Sequence, residues 1–359
     1  MTRYIGQRLL SAIPVLLGIL LVTFVIARVL LPGDPCVAAL GEHANPQTCA
    51  AFRVRYGLDK SILTQFGIYL RDVAHGDLGT SFRYDRPVTA IMLERLPVTV
   101  ELSLCALLFA VIVGVTLGVI SAVRRNSMAD VGTMLLANIG VSMPVFWLGL
   151  MLAYFFALVL KGTPISLPPS SQNTAGIVFT PLTQVWSVPA SSGLLYGVVS
   201  FVSNMHIFNT LVTGNWSGLW DTIKHLILPA SALGTIPMAL IARMTRSSLL
   251  DVLGLDYVRT ARAKGLRERA VVLRHAFRNA LIPVVTIVGL SLGALLSGAV
   301  LTETVFDFAG VGSIMFDAIQ ARDYAIVQGF TLVIAIIYVL LNLAVDILYG
   351  FLDPRIRYS

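Results

Sequence analysis

The sequence predicts an all-α membrane protein with six transmembrane helices, for three reasons. Of its 359 residues, 56% are hydrophobic and only 13% are charged, whereas roughly 25% charged residues are usual in soluble domains. Residues 9–27 carry no charged side chain, and a helix of that length is about 28 Å long, close to the hydrocarbon thickness of a bilayer. Apolar runs of this kind recur along the chain. They lie at 9–31, 98–122, 131–160, 226–250, 280–302 and 326–351.

The first apolar run favours a retained span over a cleaved signal peptide. The apolar region of a signal peptide usually has about 7–15 residues and precedes a cleavage site of small residues. The run at 9–31 is longer and continues into LPGDP. We therefore expect it to remain in the protein as the first span.

Basic side chains collect on one side of the six predicted spans. They precede the first span, separate the second from the third and the fourth from the fifth, and follow the sixth. These positions are Arg3, Arg8, Arg124, Arg125, the segment 256–283, Arg355 and Arg357. The connection 303–325 carries four acids and one arginine. The positive-inside rule therefore predicts that both termini are cytoplasmic.

Two long connections are then predicted to lie on the extracytoplasmic side of the membrane. Residues 32–97 contain seven basic and seven acidic side chains, which predicts a small, partly helical folded region. Residues 161–225 are rich in Pro, Ser, Thr and Asn, which is typical of a looped excursion. The stretch 193–208 is apolar enough for a seventh span, but one more crossing would place the basic segment outside. We interpret it as an interfacial or packed extracytoplasmic helix.

Cysteine placement leaves two readings open. Cys36 and Cys49 lie 13 positions apart in the first outer region, where an oxidising compartment would permit a disulfide. Two free thiols fit the sequence equally well, since the distance between them in space is unknown. Cys105 is interpreted as an ordinary residue of the second span.

Motifs for catalysis or nucleotide binding are absent from the sequence. There is no G-x-x-x-x-G-K-[ST] phosphate loop and no H-E-x-x-H zinc motif. The G-x-S-x-G at 289–293 lies inside a predicted span, where its glycines favour helix packing, as does the GVTLG at 114–118. Prolines within spans can mark helix breaks that line a translocation path. The candidates are Pro144, Pro229, Pro237 and Pro283.

The basic segment 256–283, DYVRTARAKGLRERAVVLRHAFRNALIP, needs its own explanation. Between residues 243 and 279 nine Lys or Arg residues face three acids, a local charge of +6 out of a net +7 for the chain. Gly265 divides two helical pieces, and Tyr257, Ala261 and Leu266 are predicted to form an apolar edge on the first. Such a short helix is suited to docking in a groove of another protein. Lipid head groups would attract the same arginines, and charge alone does not separate the two partners.

Residues 259–265, RTARAKG, resemble the cytoplasmic loop of binding-protein-dependent ABC importer permeases, whose consensus is E-A-A-x-x-x-G. Ala261 and Gly265 match, whereas Arg259 and Thr260 replace Glu and Ala. The whole segment is similar to the form found in the dipeptide, oligopeptide and nickel branch, closest to its B-type dipeptide permeases. Further similar pieces are LPGDP, YGLDK, HGDLGTSF, SMPVFW, LILPASALGTIPMALIARMTRSSLLDVL, LTETVF, RDYAIVQG and LDPRIRY.

This resemblance implies the type I ABC importer permease fold in a bacterial inner membrane. The loop would be a coupling helix lodged in a cytoplasmic ATPase, with Ala261 and Gly265 as close-contact positions. The surrounding coupling residues would be Arg259, Thr260, Arg262, Lys264, Leu266 and Arg267. Implied partners are two ABC ATPase subunits that carry ATP and Mg²⁺, a second permease and an extracytoplasmic binding protein, but no nucleic acid. The chain itself would bind no cofactor.

The resemblance implies dipeptides or short peptides as cargo, with nickel chelates, haem-like ligands, longer peptides or sugars as alternatives within the same class. A secondary transporter needs no ATPase and usually shows ion-coupling residues or two related halves, and neither is evident. A membrane-embedded enzyme is disfavoured by the missing catalytic motifs. The predicted regions are 1–31, 32–97, 98–160, 161–225, 226–351 with a coupling loop at 247–279, and a cytoplasmic tail at 352–359.

Overall fold

The computed structural model describes residues 2–30 and 34–352, and these are helical apart from loops and one isolated β-bridge between Thr80 and Pro87. Residues 353–359 of the predicted tail lie outside the described range. The N-terminal helices are α1 (Thr2–Val25, continued by a π-helical turn Ile26–Leu30), α2 (Pro35–Leu40), α3 (Pro46–Arg55), α4 (Ile62–Ala74) and α5 (Val88–Val123). The central helices are α6 (Met128–Ser142), α7 (Val145–Ala153, continued by the π-helical Tyr154–Val159), α8 (Leu182–Val185), α9 (Leu194–Ser203), α10 (His206–Thr213) and α11 (Trp216–Leu253). The remaining helices are α12 (Asp256–Ala263), α13 (Glu268–Ala270, continued by the π-helical Val271–Ala276), α14 (Phe277–Gly298), α15 (Val300–Val305), α16 (Val311–Ala321) and α17 (Tyr324–Leu352).

Within the described residues, five helices are long and apolar enough to cross a membrane: Gly6–Arg28, Val88–Val123, Trp216–Leu253, Glu268–Gly298 and Tyr324–Ile347. These agree with five of the six predicted spans. Two pairs of shorter helices meet the same test only when each pair is taken as one broken span. The pairs are α6 with α7, and α9 with α10.

The predicted third span, 131–160, is bent rather than straight. Helix α6 and the helical stretch from Val145 to Val159 meet at an angle of 105°. Pro144 disfavours helical geometry in the residue before it, and Met143 is extended, with φ −95° and ψ 135°. The bend therefore follows from the proline, as the sequence predicts for this position.

The other three prolines do not break their helices, and that expectation was wrong. Pro229 and Pro237 lie inside the continuous 38-residue α11, and Pro283 lies inside α14. Pro229 and Pro237 are buried among the many buried residues of α11. Proline has no amide hydrogen and so removes one hydrogen bond from the helix. It is tolerated in such a helix because packing against neighbouring helices holds the backbone in place.

The chain divides into two compact units, described separately. The first consists of Met1–Val98, Thr180–Met205 and Ala309–Val339. In it, Cys36, Cys49 and Phe52 form a small core beneath α2 and α3. Phe82 makes edge-on ring contacts with Phe52, Tyr56 and Tyr324 at centroid distances of 5.5, 4.4 and 5.8 Å. Aromatic packing therefore ties α3 to the first turn of α17.

The second unit consists of Thr99–Phe179, His206–Phe308 and Leu340–Ser359. Here α5 and α11 pack backbone to backbone at small residues. A Cβ atom added at Gly114 would lie 2.6 Å from the Met238 carbonyl oxygen, and one at Gly118 would lie 2.6 Å from that of Ala242. The predicted packing role of the 114–118 glycines is confirmed, because no larger side chain fits this contact.

Candidate docking site at the basic segment

The helix α12 of the basic segment ends in a glycine turn. The amide of Lys264 donates to the carbonyl of Thr260 at 3.0 Å, and that of Gly265 donates to the carbonyl of Arg262 at 2.9 Å. Gly265 has φ +77°, a left-handed conformation common at helix C-termini. A Cβ added there would meet no atom within 4 Å. The backbone conformation, not intrachain crowding, therefore accounts for glycine at this position.

One face of α12 is buried in the chain itself. Val258 is fully buried and Ala261 is 7% exposed. They belong to an apolar cluster with Ala122, Leu249, Val271, Val272, Ala276 and Ala280. Tyr257 and Leu266, by contrast, are 39% and 42% exposed. The expected common edge of Tyr257, Ala261 and Leu266 was therefore wrong, because Ala261 faces inward.

The opposite face of α12 and the turn after it are exposed. We call this set the docking surface: Arg259, Thr260, Lys264, Gly265, Leu266 and Arg267. Arg259 contacts Asp256 at 3.4 Å, with side chains 72% and 96% exposed, so the pair contributes little to stability. Lys264 and Arg267 form no ion pair with the described part of the chain. The surface therefore presents cations for an external partner.

Arg262, unlike the arginines of the docking surface, is paired across the turn within the chain. Its guanidinium donates to both carboxylate oxygens of Glu268, at 3.1 and 2.7 Å. This bidentate pair links α12 to α13 across the Gly265 turn. Arg262 therefore shapes the loop, which the spacing of the charges did not reveal.

Tyr257 connects α12 to α14. The side-chain amide nitrogen of Asn279 donates to the Tyr257 hydroxyl at 2.7 Å. Because the two residues stand on different helices of the segment, with α13 between them in the chain, this bond holds the angle between α12 and α14. Sequence reasoning missed Asn279, since an asparagine after a run of arginines carries no distinctive signal.

A second polar cluster braces the helix that leads into the segment. Asp130 on α6 is 5% exposed and accepts hydrogen bonds from Arg246 on α11, from the Ser121 hydroxyl and from the Asn126 amide. A charged pair at the ends of apolar runs is a recognisable signal, but nothing in the sequence pairs these two residues. The cluster fixes α11 at Arg246, 13 positions before Arg259, the first residue of the docking surface.

The remaining predicted sites are not members of the docking surface. Cys36 and Cys49 form a disulfide, with Cα atoms 5.5 Å apart, and Cys105 is a free thiol. Pro144, Pro229, Pro237 and Pro283 lie on α6–α7, α11 and α14. Across residues 2–30 and 34–352, no group of three or more His, Cys, Asp and Glu side chains is arranged to hold a metal ion.

A groove of about 410 Å³ borders the basic segment on the side of α5. It is mainly apolar, with charged side chains at its edge. Its lining residues are Val119, Ile120, Val123, Arg124, Glu268, Arg269, Val272 and Leu273.

Comparison with known proteins gives matches over the whole chain. The chain is 45% identical over 358 residues to the dipeptide transport system permease protein DppB of Alkalihalophilus pseudofirmus, with all of both chains covered. It is 43% identical over 360 residues to the protein of that name from Escherichia coli K12, and 44% identical over 360 residues to the di/tripeptide transport system permease protein DppB of Pseudomonas aeruginosa, again with full coverage.

Family comparison covers both halves of the chain. Residues 1–103 match the N-terminal region of binding-protein-dependent transport system membrane components. Residues 114–358 match the binding-protein-dependent transport system inner membrane component itself. The glycine turn, the exposed basic surface and the apolar helices all fall within these matches. The chain therefore belongs to the family of binding-protein-dependent transport system inner membrane components, and it is a multi-pass permease of the inner membrane.

Proposed function

We propose that this chain is one permease subunit of an ATP-driven importer for dipeptides or short peptides. The observation that carries this function is the docking surface, an exposed row of cations around a glycine turn between two membrane-spanning helices. Full-length identity of 43–45% to dipeptide permeases supports the cargo. Longer peptides, nickel chelates and haem-like ligands remain alternatives within the same class of importer.

The docking surface would bind a cytoplasmic ABC ATPase. Leu266 would enter an apolar pocket on the ATPase, while Arg259, Lys264 and Arg267 would meet acidic side chains around it. Ala261 packs in the apolar cluster beneath the docking surface, and Arg262 holds the turn through its pair with Glu268. ATP and Mg²⁺ would be bound by two such ATPase subunits, and this chain would bind no cofactor.

Movement would pass from the ATPases to the helices on either side of the docking surface. When the ATPases close on ATP, the surface moves with them, and α11 and α14 follow because both are continuous with the segment. A second, homologous permease would form the other half of the path. Moving these helices would switch the path between outward-open and inward-open states.

Both termini would be cytoplasmic, and residues 32–97 and 161–225 would lie outside. The Cys36–Cys49 disulfide supports this orientation, because disulfides persist in oxidising compartments. A binding protein would deliver the peptide to these outer regions. The excursion 162–224 would reach into that protein and displace its ligand.

The excursion hypothesis is best tested by a point substitution. Leu182 is fully buried and Val199 is 6% exposed, so deleting 162–224 would remove part of the core. Leu194, in contrast, is 86% exposed. We expect Leu194→Asp to reduce peptide uptake several-fold while ATPase association is unchanged. Normal uptake by this variant, with the binding protein supplied at limiting concentration, would contradict the contact at α9.

The proposed function is tested by purification and reconstitution. The chain is expressed with a candidate second permease and candidate ABC ATPases from the same organism. Uptake of labelled alanyl-alanine is then measured in proteoliposomes with the binding protein. We expect the four subunits to co-purify and uptake to require ATP. Uptake driven by an ion gradient without ATPases would instead identify a secondary transporter.

A further inference from the structure

A cavity in the first unit is lined by polar groups that lack partners. It has a volume of about 160 Å³ and lies between α1, α4, the 76–82 loop and the start of α17. One ordered water needs about 10–15 Å³ measured in this way, so the cavity admits a small solute. The residues used in the argument are Arg28, Gln65, Tyr69, Asp72, Asp77 and Gln328, all of which line it.

Arg28 supplies a cation that forms no ion pair with a carboxylate of the described residues. One terminal guanidinium nitrogen donates to the side-chain oxygen of Gln65 at 2.8 Å. The guanidinium carbon lies 5.8 Å from the ring centre of Phe24 and 5.0 Å from that of Tyr324. Its buried Nε has no hydrogen-bond partner in the described chain. A partly buried charge of this kind is normally paired, so the arrangement favours an anionic group beside Arg28.

Gln65 is held so that it serves Arg28 as an acceptor only. Its amide nitrogen donates to the backbone oxygens of Lys60 at 2.8 Å and of Leu58 at 3.4 Å. These bonds fix the Gln65 side-chain oxygen toward the guanidinium, and a neutral amide does not neutralise the charge of Arg28. Backbone oxygens therefore hold Gln65 in its orientation at the cavity.

Two more buried groups without partners line the same cavity. They are the Tyr69 hydroxyl and the side-chain nitrogen of Gln328. Gln328 is only 3% exposed. Burial raises the pKa of Tyr69 to about 12, so the phenol keeps its proton and can donate. Arg28, Tyr69 and Gln328 thus offer three hydrogen-bond donors to an oxygen-rich group.

Acidic groups line the cavity as well. Asp72 accepts from the Arg71 guanidinium through one carboxylate oxygen, at 3.1 and 2.8 Å. Asp77 accepts from the Gly79 amide at 2.8 Å, also through one oxygen. These carboxylates disfavour a simple anion and favour a solute that carries an ammonium group besides its carboxylate. Donors and acids together match a zwitterion.

We propose that this cavity binds a short peptide, with the free carboxylate held by Arg28, Tyr69 and Gln328 and the ammonium group facing Asp72 and Asp77. The choice of a peptide over other zwitterions rests on the proposed function. Because all residues that line the cavity belong to this chain, binding requires neither the ATPases nor the binding protein. It would give the permease its own contact with cargo.

The test is equilibrium dialysis of labelled alanyl-alanine against the purified full-length chain in lipid nanodiscs. We expect saturable binding, and at least about tenfold weaker binding of alanyl-alanine amide, which lacks the carboxylate. Absence of alanyl-alanine binding would overturn the proposal, as would equal binding of the amide. Tighter binding of 2-aminoethyl phosphate than of the peptide would overturn it too, since a lipid head group would then be the occupant.

Variants locate the binding. We expect Arg28→Gln and Gln328→Leu each to weaken alanyl-alanine binding about tenfold or more, whereas Arg83→Gln, an exposed arginine over Tyr84 in the same unit, binds like the unchanged protein. Melting temperatures show whether either variant is misfolded. If one is, the other still tests the assignment. Unchanged binding by both folded variants would overturn the assignment. ATP-dependent uptake without binding here would leave the proposed function intact and refute only the cavity.

Discussion

Arg246 on α11 donates hydrogen bonds of 2.9 Å to each of the two carboxylate oxygens of Asp130 on α6. The Asp130 side chain is 7% exposed and that of Arg246 is 31% exposed. The Ser121 hydroxyl and the Asn126 amide complete the environment of the carboxylate. Both oxygens of Asp130 are therefore engaged, and α6 is fixed to α11, the helix that precedes the docking surface in the chain.

Breaking this pair should weaken both stability and coupling. Asp130→Asn removes the charge and leaves the guanidinium of Arg246 without its partner. We expect a melting temperature several degrees lower and a reduced ratio of peptide imported to ATP hydrolysed.

Arg246→Lys and the double variant serve as controls. Lysine keeps the charge but cannot make the two parallel bonds, so an intermediate melting temperature is expected. If the destabilisation by Asp130→Asn and Arg246→Gln were additive in the double variant, the pair would not be coupled and the bracing role would be refuted.

Gly265 should tolerate alanine better than aspartate. Its φ of +77° makes any L-residue unfavourable by about 1 kcal/mol, but a Cβ there meets no atom of the chain. We expect Gly265→Ala to retain its fold. Gly265→Asp should in addition abolish ATPase co-purification, because it places negative charge at the centre of the docking surface.

Gly162 offers a matched control for that experiment. It has φ +81° and equally open surroundings, but it lies in the 161–225 region. Gly162→Asp therefore imposes the same backbone strain away from the docking surface and should co-purify with the ATPases normally. Normal co-purification by Gly265→Asp would place the docking surface elsewhere.

Substitutions at Ala261 and Arg267 should affect different properties: the first should impair folding, and the second should impair ATPase binding. Ala261→Asp buries a carboxylate in the cluster with Val258 and Val272, which costs several kcal/mol unless the group is neutralised. We expect a markedly lower melting temperature. Arg267→Glu, on an exposed side chain, should leave the melting temperature within about 1 °C, since surface changes are usually small, yet weaken ATPase binding at least tenfold. Equal melting temperatures for the two variants would contradict the inward placement of Ala261.

The Cys36–Cys49 disulfide should stabilise α2 and α3. It joins residues 13 positions apart, and loops of about that size contribute about 3 kcal/mol in the chain-entropy description. We expect the Cys36→Ser/Cys49→Ser double variant to be cleaved faster by protease within residues 34–60. Maleimide labelling of Cys36 and Cys49 in intact membranes should require prior reduction. Labelling without reduction would show free thiols.

The predictable part of this protein is local in sequence. Five apolar runs became long helices because an uninterrupted apolar stretch of about 20 residues specifies a span wherever it occurs. The turn at Gly265 was equally readable, since it depends on the backbone preference of one residue. Membership of the permease family was visible for the same reason, because its motifs are short and ordered along the chain. Of the four proline breaks expected, by contrast, only the one at Pro144 formed.

Contacts between distant residues could not be read in this way. Glu101 accepts bonds from the amides of His206 and Ile207 at the start of α10, although the sequence shows only a carboxylate near a helix end. Helical periodicity does not reveal which side of α12 meets a neighbouring helix, so Ala261 was assigned to the wrong face.

The pairing of Asp130 with Arg246 spans 116 positions, and the donors at Arg28 and Gln328 meet in one cavity from opposite ends of the chain. Hydrophobicity and turn chemistry act over a few residues, so they determined the helices. The partners of buried charges depend on how those helices pack, which is settled only when the whole chain has folded.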